Sequence, residues 1–404
     1  MKKIILVLTL LMLVAGCKMG GIRGSGTRKT EKKELPAFKA VETGGAFDVE
    51  ITCQKPQSVG IEADDNLLPL LETDVSDGVL HVGMKQNYHS RKLISVRIAV
   101  PDLISNSYFP IIAAVELGFF KSEGFDASVD LLFPVPKTFE ALRDGQLDFV
   151  VGSAHATLLA FPDWKGAKLL CAIAKHTYWF LVIRSDLNPK RGDLNVVKGL
   201  RIGAAPGVNL SLQRLLVEAG IEPEKNNVQI VPIPGAAGPN VSFGLSAAKA
   251  LEEGKLDGFW ANGMGCEVAL RQGVGSVVLD VRRGDGPAEA RNYTFSALVA
   301  TESRIAKEPD SARAAIRAIM KAHKALKEDV SRATEVGKKR FPPSEAELIA
   351  DLIRCDLPYY DPTITEETVT HMNRFAQDIG LLSAPVPYDQ VVATQFTSVW
   401  KESV

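Results

Sequence analysis

The chain has 404 residues, enough for two or three compact units, and 46% apolar with 24% charged residues is the composition of an ordinary globular protein. The formal net charge of −1 gives no electrostatic reason to expect nucleic acid or an acidic membrane surface as a partner. We therefore expect no nucleic-acid binding, and the functional interpretation has to come from the order of elements along the chain.

The first 17 residues have the pattern of an export signal. Lys2 and Lys3 precede an apolar run from Ile4 to Val14, and a small-residue cleavage site ends at Cys17. The run is well short of the roughly 20 apolar residues that a transmembrane helix needs. Because the site reads Leu-Val-Ala-Gly-Cys, the segment resembles the signal of bacterial lipoproteins. The resemblance implies lipid on Cys17 and an exported chain anchored to the cell envelope, on its periplasmic or cell-surface side.

Residues 18–35 have few apolar side chains, which is the composition of a flexible tether. Residues 36–95 then alternate polar and apolar side chains, for example over 46–52 and 78–84, and this period of two predicts an all-β module. The segments AFKAVETGGAFDVEIT and VGIEADDNLLPLLETDVSDGVLHVGMK resemble the start of the bacterial auto-transporter adhesin head domain. Over residues 33–103 the resemblance implies a partial β-solenoid, which has too few rungs to be stable alone.

From residue 96 the pattern changes to alternating strands and helices, which predicts a parallel sheet covered by helices. Residues 95–133 have the order strand, polar turn, amphipathic helix, glycine and strand, and ligands bind at the carboxyl ends of such strands. The segment ALRDGQLDF followed by VVGSAH is repeated as ALEEGKLDGF followed by WANGM. The repeat predicts two similar α/β lobes.

We expect the first lobe over residues 96–180, the second over 181–294, and a return to the first lobe with C-terminal helices over 295–404. The strand over 96–100 completes the β pattern on one side and begins the α/β pattern on the other, and we assign it to the first lobe. The predicted helices of the return segment cover 310–326, 344–353 with a Ser344-x-x-Glu347 capping box, and 363–379, ended by a glycine. We expect these helices to pack on the first lobe.

Polar tips follow four of the predicted strands and supply the candidate ligand-binding residues except Thr177, which lies where the first lobe should pass to the second. Each tip offers helix N-terminal N–H groups, hydroxyls or aromatic surface, and all would line one cleft if the lobes face each other. His155 can donate to an anionic or carbonyl ligand, although a structural role fits equally well. The candidates are Ser105, Asn106, Tyr108, Ser153, His155, Thr177, Val208, Trp260 and Asn262.

Sequence motifs of common enzymes are absent. The chain has no phosphate-binding loop, no dinucleotide fingerprint, no His-Glu-x-x-His pair and no Gly-x-Ser-x-Gly turn. Cys53, Cys171, Cys266 and Cys355 are far apart, which favours buried free thiols over metal ligands or disulfides. We therefore expect no catalytic residues, no metal site and no cofactor.

Residues 96–404 resemble the substrate-binding proteins of ABC importers in the nitrate, sulfonate, taurine and thiamine-pyrimidine group. The segments that carry the resemblance are VRIAVPDLISNSYFPIIAAVELGFFKSEGF, ALRDGQLDFVVGSAH, KGLRIGAAPGVNLSLQRLLVEAGI and LDGFWANGMGCEVALRQG. The resemblance implies an α/β, two-lobed periplasmic-binding-protein-like fold of type II, preceded by the small all-β module. It also implies two hinge crossings and closure of the lobes on a ligand.

The resemblance further implies a lipid-anchored, monomeric solute-binding component that delivers a small-molecule solute to an ABC permease in the inner or plasma membrane. Few Asp or Glu residues at the tips argue against a polycation, and few Arg or Lys residues argue against a bare inorganic anion. A small organic anion or a heterocycle fits best. Two alternatives stay open, namely a biosynthetic enzyme on the same fold and a surface adhesion or interaction lipoprotein.

Overall fold

The computed structural model describes residues 7–11, 25–43, 50–52, 59–84, 93–236 and 242–404. The chain divides into two compact units, Met1–Leu93 and Ile94–Val404. Cys17, the predicted site of lipidation, lies outside the described residues, as do Cys53 and the first part of the predicted tether.

The unit Met1–Leu93 contains two small sheets, in the strand orders β2-β5-β1-β4 and β3-β7-β6. Its strands are β1 (Val7–Leu11), β2 (Arg28–Lys33), β3 (Ala40–Thr43), β4 (Glu50–Thr52), β5 (Val59–Asp64), β6 (Leu71–Ser76) and β7 (Val79–Met84). Along β5, buried residues alternate with partly exposed ones, as the period of two predicts. Asp77 and Gly78 close the β6–β7 hairpin, and their φ angles of 52° and 76° are those of a two-residue hairpin turn.

The unit Ile94–Val404 begins with the first-lobe sheet, in the order β11-β17-β10-β8-β9. Its strands are β8 (Ile94–Val100), β9 (Phe125–Leu131), β10 (Phe149–Ser153), β11 (Ala167–Ala174) and β17 (Ser296–Thr301). β8 pairs in parallel with both β9 and β10, whereas β17 is antiparallel to β10 and β11. The strand shared by the two sequence patterns therefore belongs to the α/β unit.

The second-lobe sheet repeats this arrangement in the order β14-β13-β15-β12-β16. Its strands are β12 (Phe180–Arg184), β13 (Arg201–Ala204), β14 (Gln229–Val231), β15 (Gly258–Ala261) and β16 (Gly275–Asp280). β13 pairs in parallel with β14 and β15, and β12 is antiparallel to β15 and β16. The chain passes between the lobes twice, over 175–179 and over 281–295. The predicted α/β two-lobed fold is confirmed.

One polar motif is built identically in both lobes. Asp148 Oδ2 accepts a hydrogen bond from the backbone N–H of Arg97 at 2.7 Å, and Asp257 Oδ2 accepts one from the N–H of Arg201 at 2.9 Å. The two arginine side chains also donate to the carbonyls of equivalent glycines. Each aspartate thus holds the start of its strand against the neighbouring central strand, which is the structural meaning of the repeated Leu-Asp in the sequence.

The helices that cover the two sheets are α1 (Phe109–Glu116), α2 (Phe119–Ser122), α3 (Val135–Arg143), α4 (Asn209–Glu218), α5 (Phe243–Glu252), α6 (Gly263–Arg271), α7 (Glu302–Lys307), α8 (Pro309–Glu328), α9 (Arg332–Arg340), α10 (Pro343–Asp356), α11 (Glu366–Asp378) and α12 (Tyr388–Val391). α8 packs on the first lobe, as expected, and so does α12, which was not predicted, whereas α10 also contacts α6 of the second lobe. The predicted capping box of α10 is wrong, because Pro343 takes the first helical position and places Ser344 inside the helix.

Candidate functional site

The four polar tips meet along a seam between the lobes. The tips after β8 and β10 come from the first lobe, and those after β13 and β15 come from the second. A methyl group built on Gly263 of the second lobe would lie 2.9 Å from the Asn106 side chain of the first, so the two tips are in direct contact. All nine sequence-predicted site residues are at most 4% exposed, so each is buried within the folded α/β unit.

Asp102, just before the first tip, was missed by the sequence analysis. Its Oδ2 accepts hydrogen bonds from Ser242 Oγ at 3.1 Å and from Asn262 Nδ2 at 2.8 Å, both in the second lobe. Its Oδ1 accepts from the N–H of Ile104 at 3.1 Å, and the backbone of Gly244 gives a further hydrogen bond. Burial raises the pKa of Asp102 to about 7, while these hydrogen bonds act in the opposite direction.

A second buried cluster joins the first lobe to the second crossing. The amide of Asn106 donates to Asp356 Oδ2 at 2.6 Å, and Arg282 forms an ion pair with Asp356 Oδ1 at 2.9 Å. The Arg282 guanidinium also lies over the rings of Tyr178 and Tyr359. Among the described residues, Asn106 Oδ1 and the Nε and Nη2 of Arg282 make no hydrogen bond. This cluster therefore retains both a free acceptor and free donors.

Three hydroxyl groups form a chain at the carboxyl ends of β8 and β10. The phenol oxygen of Tyr178 lies 3.0 Å from that of Tyr108 and 2.7 Å from Ser153 Oγ. Tyr178 belongs to the first crossing, so it connects two predicted site residues to the hinge. The hydroxyl hydrogens can rotate, and the chain can therefore present either a donor or an acceptor to a bound solute.

His155 lies fully buried at the tip of β10, between the rings of Trp179 and Phe375. Burial lowers its pKa to about 4, and the nearby backbone of Gly207 in the second lobe acts in the opposite direction. Neither ring nitrogen has a well-formed hydrogen bond among the described residues. The ring is therefore neutral at physiological pH, with one nitrogen able to donate and the other to accept.

An opening of about 240 Å³ lies at the edge of the seam beside this histidine. Pro136 and Leu159 of the first lobe line one side, and Pro206 and Gly207 line part of the other. The backbone of Gly207 also neighbours the imidazole of His155, so this opening and the histidine share one wall residue.

Other predicted residues have partners that fix their roles. Ser105 Oγ accepts from the N–H of Ser107, and Asn262 Oδ1 accepts from the N–H of Gly265, so both cap helices. Val208 is the buried residue before α4. Ser105, Asn262 and Val208 therefore fix the backbone where these helices begin.

Trp260 and Thr177 also have defined partners. Trp260 donates its indole N–H to Ser211 Oγ at 2.9 Å, and its ring lies 5.9 Å from that of Trp179. Thr177 was expected to touch ligand, but its hydroxyl accepts from the N–H of Thr294 and donates to the carbonyl of the same residue. Thr177 therefore joins the two crossings and lies in the hinge.

Two sequence expectations about side chains need correction. Cys171 and Cys266 are buried free thiols as predicted, but Cys355 is exposed on α10. The shortage of acidic side chains at the tips is also misleading, since Asp102 and Asp356 reach the seam from beside them.

Two searches of the described residues gave negative results. No group of three or more His, Cys, Asp or Glu side chains in this part of the chain is arranged to hold a metal ion. None of the helices within the described ranges has the length and apolar character that crossing a membrane would require.

Two family models match the sequence. The NMT1/THI5-like model matches residues 105–333, and the model of the auto-transporter adhesin head GIN domain matches residues 37–106. No curated protein matches the chain.

Solved structures share the fold of the α/β unit at low sequence identity. The sulfonate-binding protein SsuA from Methylobacillus flagellatus KT is 18% identical with a TM-score of 0.54, covering 76% of this chain and 94% of its own. The nitrate-binding protein NrtA from Synechocystis PCC 6803 is 15% identical with a TM-score of 0.57, covering 77% and 88%. The desulfurization enzyme DszB is 14% identical with a TM-score of 0.53, covering 76% and 99%. The same architecture therefore serves both binding proteins and an enzyme.

Proposed function

Because the chain belongs to the NMT1/THI5-like family, whose model covers more than half of it, we propose that it is the solute-binding component of an ABC importer. In this role it takes a small organic anion or a heterocycle between its two lobes and passes the solute to a membrane permease. The two lobes, the two crossings between them and the polar seam support this function. The sulfonate- and nitrate-binding proteins with the same fold support it as well.

The buried imidazole of His155 is the observation that carries the proposal. A fully buried side chain with two unbonded nitrogens is energetically costly unless something else supplies its hydrogen bonds. Thr157 Oγ1, on the same short helix, and Asn106 Oδ1, on the neighbouring tip, are likewise buried without partners among the described residues. A solute that reaches these groups in the seam would supply their missing hydrogen bonds.

The membrane location belongs to the same proposal. The signal-like segment before Cys17 supports export and lipid attachment at that cysteine. A single lipidated N-terminus followed by a polar tether would keep the binding unit at the envelope surface, near a permease. The protein acts there as a monomer.

The test replaces His155 by phenylalanine. His155→Phe keeps an aromatic ring between Trp179 and Phe375 but removes both nitrogens, so we expect solute affinity to fall at least tenfold without loss of thermal stability. Sulfonates, carboxylates, nitrate and pyrimidines are first screened by thermal shift on the mature chain. The best hit is then measured by calorimetry.

His81→Phe is the matched control, because His81 is partly exposed on β7 in the unit Met1–Leu93, whereas every candidate site residue lies in Ile94–Val404. It should bind the solute like the wild type. Equal solute affinity in His155→Phe and the wild type would contradict the proposed site, and no saturable binding of any solute would contradict the function.

Turnover would favour the enzymatic alternative, which the fold of DszB keeps open. Each solute that binds is therefore incubated with the protein and analysed by mass spectrometry. A transport role predicts that the solute is recovered unchanged. Surface adhesion is the remaining candidate function, and the match of residues 37–106 to an adhesin head domain favours it. Adhesion predicts that the protein attaches to surfaces even when no solute binds in the seam.

A further inference from the structure

The N-termini of α5 and α6 lie side by side in the second lobe. A methyl group built on Gly265 at the start of α6 would collide with the backbone carbonyl of Gly244 at the start of α5, so only glycine permits this approach. Both helices are long enough, at 10 and 9 residues, to present a partial positive charge at these ends, where Ser242 and Asn262 each accept one backbone N–H. Such a paired terminus is the place in this lobe where an anionic group would be best stabilised.

The chain fills this place with its own carboxyl group. Asp102 enters from the first lobe and accepts hydrogen bonds from Ser242 and Asn262, the residues that cap α5 and α6. With Ile104 and Gly244 it has four donors, which is close to the full capacity of a carboxylate. The group is therefore saturated by protein donors, and few of the donors at the paired helix ends are left for a solute.

The buried charges give independent support. Among the described residues, Arg282 is the only buried Lys or Arg side chain, and it is paired with Asp356. Three carboxyl groups are buried, namely Asp102, Asp280 and Asp356. Arg283, which is partly buried, pairs with Asp280 at 2.5 Å and lies 3.7 Å from Asp356, so among the described residues Asp102 is the one buried carboxyl group without a cationic partner. His155 adds no positive charge at neutral pH. An anion that entered the seam would meet the carboxylate of Asp102 in a low dielectric, with no arginine or lysine beside it.

We propose that Asp102 sets the charge selectivity of the cleft, because its carboxyl group occupies the donors at the paired N-termini of α5 and α6. The cleft then admits uncharged hydrogen-bonding solutes, such as a neutral heterocycle, and rejects oxyanions. This inference rests on the proposed solute-binding function and narrows its ligand class. Asp102 acts as a specificity determinant, and the solute itself binds to groups that remain free, such as those of His155 and Asn106.

The experiment uses pairs of probes with the same shape and different charge. Benzenesulfonate is compared with benzenesulfonamide, and nicotinate with nicotinamide, by calorimetry on the full chain at pH 8. We expect the wild type to bind the uncharged member of a pair at least tenfold more tightly. Asp102→Asn and Asp102→Ser both remove the charge, and the serine variant also leaves free space at the helix ends. We expect benzenesulfonate to bind each variant at least tenfold more tightly than it binds the wild type.

Asp130→Asn is the control, since Asp130 is exposed on β9 of the same lobe and its loss changes the net charge by the same amount. It should keep the wild-type preference. Circular dichroism verifies that each variant is folded, and one folded Asp102 variant is enough for the comparison of anion affinity. If neither variant folds, the inference is tested by whether the wild type prefers the uncharged probe of each pair. The inference is overturned if the wild type binds the anions as tightly as their uncharged partners, or if folded Asp102 variants gain no anion affinity.

The two proposals fail in different ways. A wild type that binds no solute, together with an Asp102→Ser variant that gains benzenesulfonate binding, would support the charge role and count against the importer function. A wild type that binds benzenesulfonate or nicotinate more tightly than their uncharged forms would support solute binding and overturn the charge role.

Discussion

The carboxyl group of Asp102 couples the stability of the fold to pH. Burial raises its pKa from 3.8 to about 7, so the folded chain binds a proton there over a range in which the unfolded chain does not. The protonated carboxyl group of Asp102 therefore adds to the free energy of unfolding. This contribution is complete below pH 4 and is lost as the pH rises through 7. The buried His155 has a lowered pKa and acts in the opposite direction, since its contribution is lost as the pH falls toward 4.

We therefore predict that the free energy of unfolding of the wild type, measured relative to Asp102→Asn by urea denaturation, falls by roughly 2–3 kcal/mol between pH 5 and pH 8. Subtracting the variant cancels the contributions of His155 and of other groups that both proteins share. Asp130→Asn should follow the wild-type curve, because Asp130 is exposed. Parallel curves for the wild type and Asp102→Asn would show that the folded carboxyl group titrates normally.

At the scale of single residues, the hydrogen-bond partners of the candidate side chains were the least predictable feature. Eight of the nine candidates were predicted at strand tips and Thr177 at the first crossing, and all nine are at most 4% exposed. The partners of these residues were not predictable, because Arg282 and Asp356 come from elements far apart in the chain and meet Asn106 only in the folded unit. Asp102 could have been found, since an acidic residue directly after a central strand shares the edge at which ligands bind.

At the scale of elements, the period of two and the strand–helix alternation predicted β7 and β8 to within two residues. Helix starts were less predictable, because capping depends on local geometry. α11 begins at Glu366, three residues later than expected, where Thr365 accepts a hydrogen bond from the N–H of Thr368.

The duplicated aspartate allows the same element contact to be tested in both lobes. Asp148→Ala and Asp257→Ala each remove a carboxylate that accepts the N–H of a central strand, so we expect each to lower the free energy of unfolding by roughly 1.5–3 kcal/mol in urea denaturation. Similar losses would show that the two equivalent contacts stabilise their lobes by similar amounts.

Asp186→Ala serves as the control for this pair. Asp186 is an exposed aspartate that also pairs with an arginine, Arg184, but it supports no strand, and its loss should leave the unfolding curve unchanged. A change for Asp186→Ala as large as for Asp257→Ala would mean that the arginine pair, rather than the contact with the strand, provides the stability.

At the scale of the molecule, the internal repeat correctly predicted two lobes of one topology, each with a central strand flanked by parallel partners. The contact of α10 with α6 was not predicted. The sequence of an amphipathic helix shows that one face is buried but not which neighbour covers it. The same limit applies to the seam, whose closure depends on contacts such as that of Gly263 with Asn106.

β8, the first strand of the α/β unit, pairs only with β9 and β10 among the described strands. Both hydrogen-bonded neighbours of β8 lie within Ile94–Val404, so a chain that starts at Ile94 keeps every described strand pair of the two lobe sheets. All nine candidate site residues and Asp102 also lie within this unit. We predict that residues 94–404 alone fold cooperatively and bind the solute identified for the full chain with a Kd within about twofold of the full-chain value.

Calorimetry on the two chains, with circular dichroism to verify folding, checks this prediction. The variant His155→Phe in the shortened chain should lose solute affinity by the same factor as in the full chain, because its surroundings are unchanged. A shortened chain that folds but binds the solute more than tenfold more weakly would mean that Met1–Leu93 contributes to binding. In that case the all-β unit would have a role in solute capture.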